Sequence, residues 1–167
     1  MTQAGQSIEA RRATGASDDA SRHRLRLWLK LLGVSRGIET ELRARLVREF
    51  GETLPRFDVL AALHRMGTRM TMSELSRHLR VSNGNVTGII ERLAEDGLVE
   101  RRRDDQDRRT AHVCLTDAGA AKFETMAEAH HAWVDEILGA VTVEAAAELI
   151  ARLDPLARKP AKGGSAP

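Results

Sequence analysis

Between Arg80 and Glu91 the chain carries no charged side chain, and this stretch opens with Ser82, Asn83, Gly84, Asn85 and Thr87. Small donors and acceptors of this kind can come close to the base edges or phosphates of duplex DNA. An asparagine amide matches the donor and acceptor that adenine shows in the major groove. If Ser82 starts a helix, the helix N-terminus adds backbone N–H groups that favour phosphate. The plain alternative is that serine and asparagine only cap the helix, although two asparagines and a threonine exceed what one cap uses. Ser73, on the segment before, joins this polar set. A second group follows in the polar run from Glu100 to Thr110, where Arg101, Arg102, Arg103, Arg108 and Arg109 stand against Glu100, Asp104, Asp105 and Asp107. Five arginines against four acids are not a simple basic patch. Pairing must decide which guanidinium groups are free to meet phosphate or a groove.

These residues need a scaffold, and apolar spacing predicts one. From Arg22 to Phe50, Leu25, Trp28 and Leu32 form one stripe and Leu27, Leu31, Val34 and Ile38 another, which predicts a helix with two packing partners. At ~1.5 Å per residue it is about 40 Å long, more than a domain of this size needs for its own core, and a second subunit is the natural partner. Its eight basic residues against Glu39, Glu41 and Glu49 also fit a solvated basic face. Gly51 ends this helix and Pro55 opens the next, with Phe57, Leu60, Ala61 and Leu63 inward. Thr71 and Glu74 make a capping box for a third helix to Arg80, and Ser82 caps a fourth from Asn83 to about Glu95, stopped by Gly97.

The period then changes to two. Val99, Arg101 and Arg103 alternate with Glu100 and Arg102, and Ala111, Val113 and Leu115 with His112 and Cys114, which predicts a β-hairpin with a polar tip. Thr116 caps a long helix with Phe123, Met126, His130, Trp133 and Ile137 on one stripe, and Thr142 caps a last one to Pro155. The expected fold is mainly α, of the α+β winged-helix kind: six helices and a two-stranded hairpin wing. Its expected divisions are a disordered tail over 1–21, helical segments over 22–50 and 117–157, a winged helix-turn-helix lobe over 51–116 and a disordered tail over 158–167.

Composition narrows the classes. The 167 residues carry a formal net charge of +2 and 42% hydrophobic residues, which suits one folded domain with polar ends. A single cysteine, Cys114, excludes an intrachain disulfide and a cysteine-only zinc site, and fits the reducing cytoplasm. No apolar run is long enough to span a membrane, and the polar N-terminus lacks the apolar core of a signal peptide. A transit peptide is opposed by Glu9, Asp18 and Asp19. No nucleophile elbow, phosphate loop or dinucleotide fingerprint is present, so an enzyme is not expected, nor is a cofactor.

Helix, turn, helix and charged hairpin together read as a winged helix-turn-helix. Asp107, Arg109, Val113, Leu115, Thr116 and Gly119 meet the pattern D-x-R-x-x-x-V-x-L-T-x-x-G, joined by the turn L-S-R-H-L-R-V-S and the run I-I-E-R-L-A-E-D-G-L-V-E-R. On these residues the chain resembles the MarR family of bacterial transcription regulators over roughly residues 25–155. The resemblance implies a homodimer whose first and last helices interlock, which makes 22–50 and 117–157 a helical dimerisation region and 51–116 the DNA-binding lobe, with two recognition helices on a pseudopalindromic operator, and repression. It also implies that Arg109 reaches the minor groove with Asp107 holding it, where a narrow groove concentrates negative potential. A small organic acid or phenol is expected between the lobe and the dimer helices, releasing DNA. Residues placed to line that cleft are Trp28, Leu32, Phe57, Leu60, His64, Met126 and His130, each of which also fits plain core. The runs L-P-R-F-D-V-L-A-A-L and V-S-N-G-N-V-T-G are similar to the branch controlling aromatic-acid and phenylpropanoid breakdown, some members of which sense coenzyme A thioesters.

Three rivals stay open. A redox sensor would use Cys114, which has no second cysteine to resolve a sulfenic acid. A zinc sensor would draw on His64, His78, His112, His130 and His131, yet adjacent His130 and His131 point about 100° apart on a helix, and no metal site is expected. The third is a winged helix that binds a protein partner and no DNA.

Overall fold

The computed structural model describes residues 3–67, 69–103 and 111–157, with side chains excepted for 3–17, 83, 103 and 111. The elements run α1 (Gln3–Phe50), α2 (Leu54–Met66), β1 (Met70–Thr71), α3 (Met72–Leu79), α4 (Asn83–Glu95), β2 (Val99–Arg103), β3 (Ala111–Leu115), α5 (Asp117–Leu138) and α6 (Val143–Ala157). The six helices and the winged lobe are those the apolar spacing calls for. Three boundaries differ. The helix α1 begins at Gln3, not at Arg22, and so occupies the stretch expected to be a disordered tail. Low apolar content removes packing but does not stop a helix from propagating, and this stretch holds several alanines and no proline. The sheet has three strands in the order β1-β3-β2, not two, because Met70 and Thr71 pair with Val113 and His112. Two residues are too few to show an alternation. The last helix also continues past Pro155, which sits in its final turn.

The core sits where α2, α4 and α5 meet the sheet. Leu46, Val59, Leu60, Leu75, Val86, Ile90, Leu93, Val113 and Met126 are fully enclosed, and Phe50 lies over Trp133 with ring centroids 6.1 Å apart. Between α1 and α2, Gly51 takes φ +64°, a left-handed conformation that glycine adopts without strain, and its N–H caps Val47. Arg45 ties α1 to α5 through a two-point contact with Glu136, 2.6 and 3.2 Å, while its Nε donates to Glu41. Arg43 pairs with Glu39, Arg48 with Glu49 and Arg22 with Asp18, so much of the basic excess on α1 is locally neutralised.

Away from that core, apolar side chains stand in the open. Leu25, Leu27, Trp28 and Leu29 on α1 are more than half exposed, and α6 buries nothing, with Val143 and Leu156 at 81% and 74% exposure. No described helix is long and apolar enough to cross a membrane.

Candidate nucleic-acid interface

The turn between α3 and α4 is built from side-chain hydrogen bonds. Thr71 Oγ1 accepts from the Glu74 N–H at 3.2 Å and Glu74 Oε2 accepts from the Thr71 N–H at 2.8 Å, closing the capping box that the spacing predicts. The bonds from Thr71 hold the Glu74 carboxylate below its ordinary range. At the other end, Arg80 adopts φ +56°, which costs a residue with a side chain but reverses the chain tightly. Ser76 locks the reversal: its buried hydroxyl donates to the Val81 carbonyl at 2.8 Å, and the Val81 N–H donates back to the Ser76 carbonyl. Ser82 then caps α4, accepting from the Asn85 N–H.

Val86, Ile90 and Leu93 anchor α4 in the core, which turns Gly84, Gly88, Glu91 and Arg92 outwards. Two glycines one turn apart leave the N-terminal half of the exposed face bare of side chains, so the helix backbone can lie close to a surface there, while Glu91 and Glu95 project from the half beyond. Asn85 is exposed on one flank and Thr87 half-buried on the other; two positions apart on a helix, they face about 160° apart. Ser73 is exposed on α3, as are Arg77 and Arg80 beside it. Gly88, Arg77 and Arg80 were not among the residues expected from sequence. Only the four-residue spacing of Gly84 and Gly88, opposite Val86 and Ile90, signals the first of them. The side chain of Asn83 lies outside the described residues.

The wing leaves the same lobe. Its strands pair Val99 with Leu115 through to Arg103 with Ala111. Arg101 is exposed and lies 3.9 Å from Glu91 of α4, whereas Arg102 bonds Glu100 at 2.5 Å and is less available to phosphate than the sequence suggests. That arginine holds the Glu100 carboxylate below its ordinary range. Burial pushes the Cys114 thiol up, with Glu100 adding to it, the reverse of what a thiolate-based sensor needs. Asp107, Arg108 and Arg109, together with the side chain of Arg103, lie outside the described residues. At the wing's base the T-x-x-G spacing has a cause. Thr116 Oγ1 donates to the Gly97 carbonyl and accepts from the Gly119 N–H, and Gly119 passes so near the Leu98 carbonyl oxygen that a Cβ would lie 1.9 Å from it.

The residues expected to line an effector cleft divide into three sets. Phe57 stacks on His130 at 4.8 Å and lies 5.6 Å from Phe123, which meets His64 at 4.7 Å, so three of the seven gather around an aromatic group whose fourth member, Phe123, was read only as core. His64 reaches the surface with its Nε2 3.6 Å from Glu124. Burial, with His131 nearby, lowers the pKa of His130. Leu60 and Met126 are fully enclosed core residues. Trp28 and Leu32 do not join them: Trp28 lies roughly 25 Å up α1 from Arg45 and roughly 33 Å from Phe50, both of which meet α5. Among the described residues, no group of three His, Cys, Asp or Glu could hold a metal ion.

Comparison with known proteins points one way. A model of the MarR family matches residues 53–111. The transcriptional activatory protein BadR of Rhodopseudomonas palustris is 37% identical over 98 residues, 57% of this chain and 56% of that protein. The chain thus spans about half the length of the curated relatives it matches, 54% to 59% for three of them. The crystal structure of a MarR family transcriptional regulator from Silicibacter pomeroyi is 34% identical, with a TM-score of 0.69 over 83% of this chain and 95% of that one. A mutant MarR from E. coli complexed with operator DNA is 27% identical, with a TM-score of 0.70 over 79% and 94%.

Proposed function

Because this chain belongs to the MarR family, whose members are transcriptional regulators and not enzymes, we propose that it is a dimeric DNA-binding regulator, a repressor released from a pseudopalindromic operator by a small aromatic acid or its coenzyme A thioester. The observation that carries the DNA reading is the exposed N-terminal half of α4, bare of side chains at Gly84 and Gly88, rooted by Val86, Ile90 and Leu93 and flanked by Asn85, Thr87 and the arginine-rich wing. Asn83, Asn85 and Thr87 read bases, Ser73, Ser82 and the Gly84 backbone meet phosphates, Arg101, Arg103 and Arg108 track the backbone, and Arg109, held by Asp107, reads groove width. The exposed apolar residues of α1 and α6 support a homodimer, since two copies can cover them mutually. In such a dimer Trp28 and Leu32 could close over the aromatic group of the other copy.

The aromatic group around Phe57 and His130 supports a ring-shaped effector, with His64 as the polar handle at the surface. Release requires only that the effector bind better to a lobe spacing that does not fit the groove. Selection of binding duplexes from a random library tests the base reading. No exposed α4 residue ahead of Arg92 offers a bidentate donor to guanine, so the recovered half-sites should be A·T-rich and centred about one helical turn apart. A G-rich core would contradict it, and recovery of no duplex would favour the protein-binding adaptor.

A further inference from the structure

Among the described residues, the core encloses a single charged side chain, that of Glu52, which is 3% exposed and follows Gly51 in the turn between α1 and α2. Its Oε2 accepts from Arg56 Nε at 2.5 Å, and its Oε1 accepts from Arg56 Nη2 at 3.2 Å and from Lys122 Nζ. Arg56 Nη2 also donates to Asp96 Oδ2 at 2.5 Å. Lys122 belongs to α5, Arg56 to α2, and Asp96 caps the C-terminal end of α4. Four charges of alternating sign therefore run from the long helix α5, through the α1–α2 turn, to the end of α4.

Stability alone does not call for this arrangement. A buried ion pair is often no better than apolar side chains of the same volume, because desolvation offsets the attraction. What it adds is direction. Val86, Ile90 and Leu93 hold α4 by apolar contact, which tolerates small rotations, whereas an arginine shared between two carboxylates fixes distance and angle. Burial works to lower the affinity of Arg56 for its proton, yet the bonds to Glu52 and Asp96 outweigh it and raise its pKa, consistent with a guanidinium held from both sides.

We propose that Lys122, Glu52, Arg56 and Asp96 form a positioning relay that sets the C-terminal end of α4 according to the placement of α5, so that a shift in the dimerisation helices reaches the DNA-reading surface. Its bearing on DNA rests on α4 being the recognition helix. The test compares the full chain with Asp96→Asn, whose exposed side chain makes misfolding no concern, and with Glu52→Leu/Arg56→Met, which removes the enclosed carboxylate together with the guanidinium that holds it. Amide hydrogen exchange is read without DNA. Both variants should keep the melting temperature within about 3 °C while exchange in α4 rises about fivefold or more and that of α2 and α5 stays unchanged. Lys122→Met and Asp96→Asn, which have Glu52 and Arg56 between them, should also be non-additive in α4 exchange. On a selected operator, the preference over an unrelated duplex should fall about fivefold in both variants and return with Asp96→Glu. Unchanged α4 exchange in both variants would overturn the relay, and so would a rise spread over the whole lobe with a falling melting temperature. A wild-type chain that binds no duplex would refute α4 as a recognition helix, while exchange alone would still decide the coupling.

Discussion

Gly119 passes so close to the Leu98 carbonyl oxygen that a methyl group at Cα would meet it at 1.9 Å. That oxygen also accepts the Thr116 N–H, so moving it breaks the joint between α5 and the wing. Gly119→Ala should therefore lose about 1–3 kcal/mol in urea denaturation, and a change below about 0.5 kcal/mol would show that the approach is looser than described. His130 should make stability sensitive to acid. Burial lowers the folded-state pKa of His130 below its ordinary value near 6.5, so between that lowered value and about 6.5 the unfolded chain binds more protons than the folded one. The corresponding stability is present above about pH 6.5 and is lost as pH falls through this window. His130→Phe keeps a ring against Phe57 and should flatten the fall in melting temperature between about pH 7 and 5.5; an unchanged slope would place the titration elsewhere.

At the scale of elements, the wing and α4 should fail differently. Asn85→Ala should cost ~1–3 kcal/mol and relax preference at one operator position, whereas Arg103→Ala should weaken every duplex and lower the salt slope by about one. Uniform loss in both would show that Asn85 does not read a base. The elements themselves were largely legible, because Thr71 with Glu74, and Ser82, are start signals whose hydrogen bonds form as their spacing requires. Gly119 was legible as part of a pattern, but not its cause, since nothing in the spacing says that Leu98 will lie beneath it. Glu52 was missed altogether. A glutamate after a glycine reads as a solvated turn, and two of its relay partners, Asp96 and Lys122, come from distant elements that only the fold brings near. The seven effector candidates share helical periodicity, which cannot separate enclosed Leu60 and Met126 from the aromatic group at Phe57 and His130, nor show that Trp28 lies far from both.

For the whole molecule, the exposed apolar residues of α1 and α6 are the feature one chain leaves unexplained. Sedimentation equilibrium should give a dimer, and Leu25→Glu/Trp28→Glu should shift it to monomer and reduce operator affinity about a hundredfold or more, because two half-sites would no longer be held together. A dimer that survives this change would move the interface elsewhere. Regulated DNA binding is the activity proposed for the whole molecule. Its most direct test is a gel-shift titration of the chain on the duplex upstream of its own gene, at two salt concentrations, with and without aromatic acids and their coenzyme A thioesters. Salt-dependent binding at nanomolar protein, released by one class of these compounds, is the expected result. Absence of binding to any duplex at either salt would contradict it.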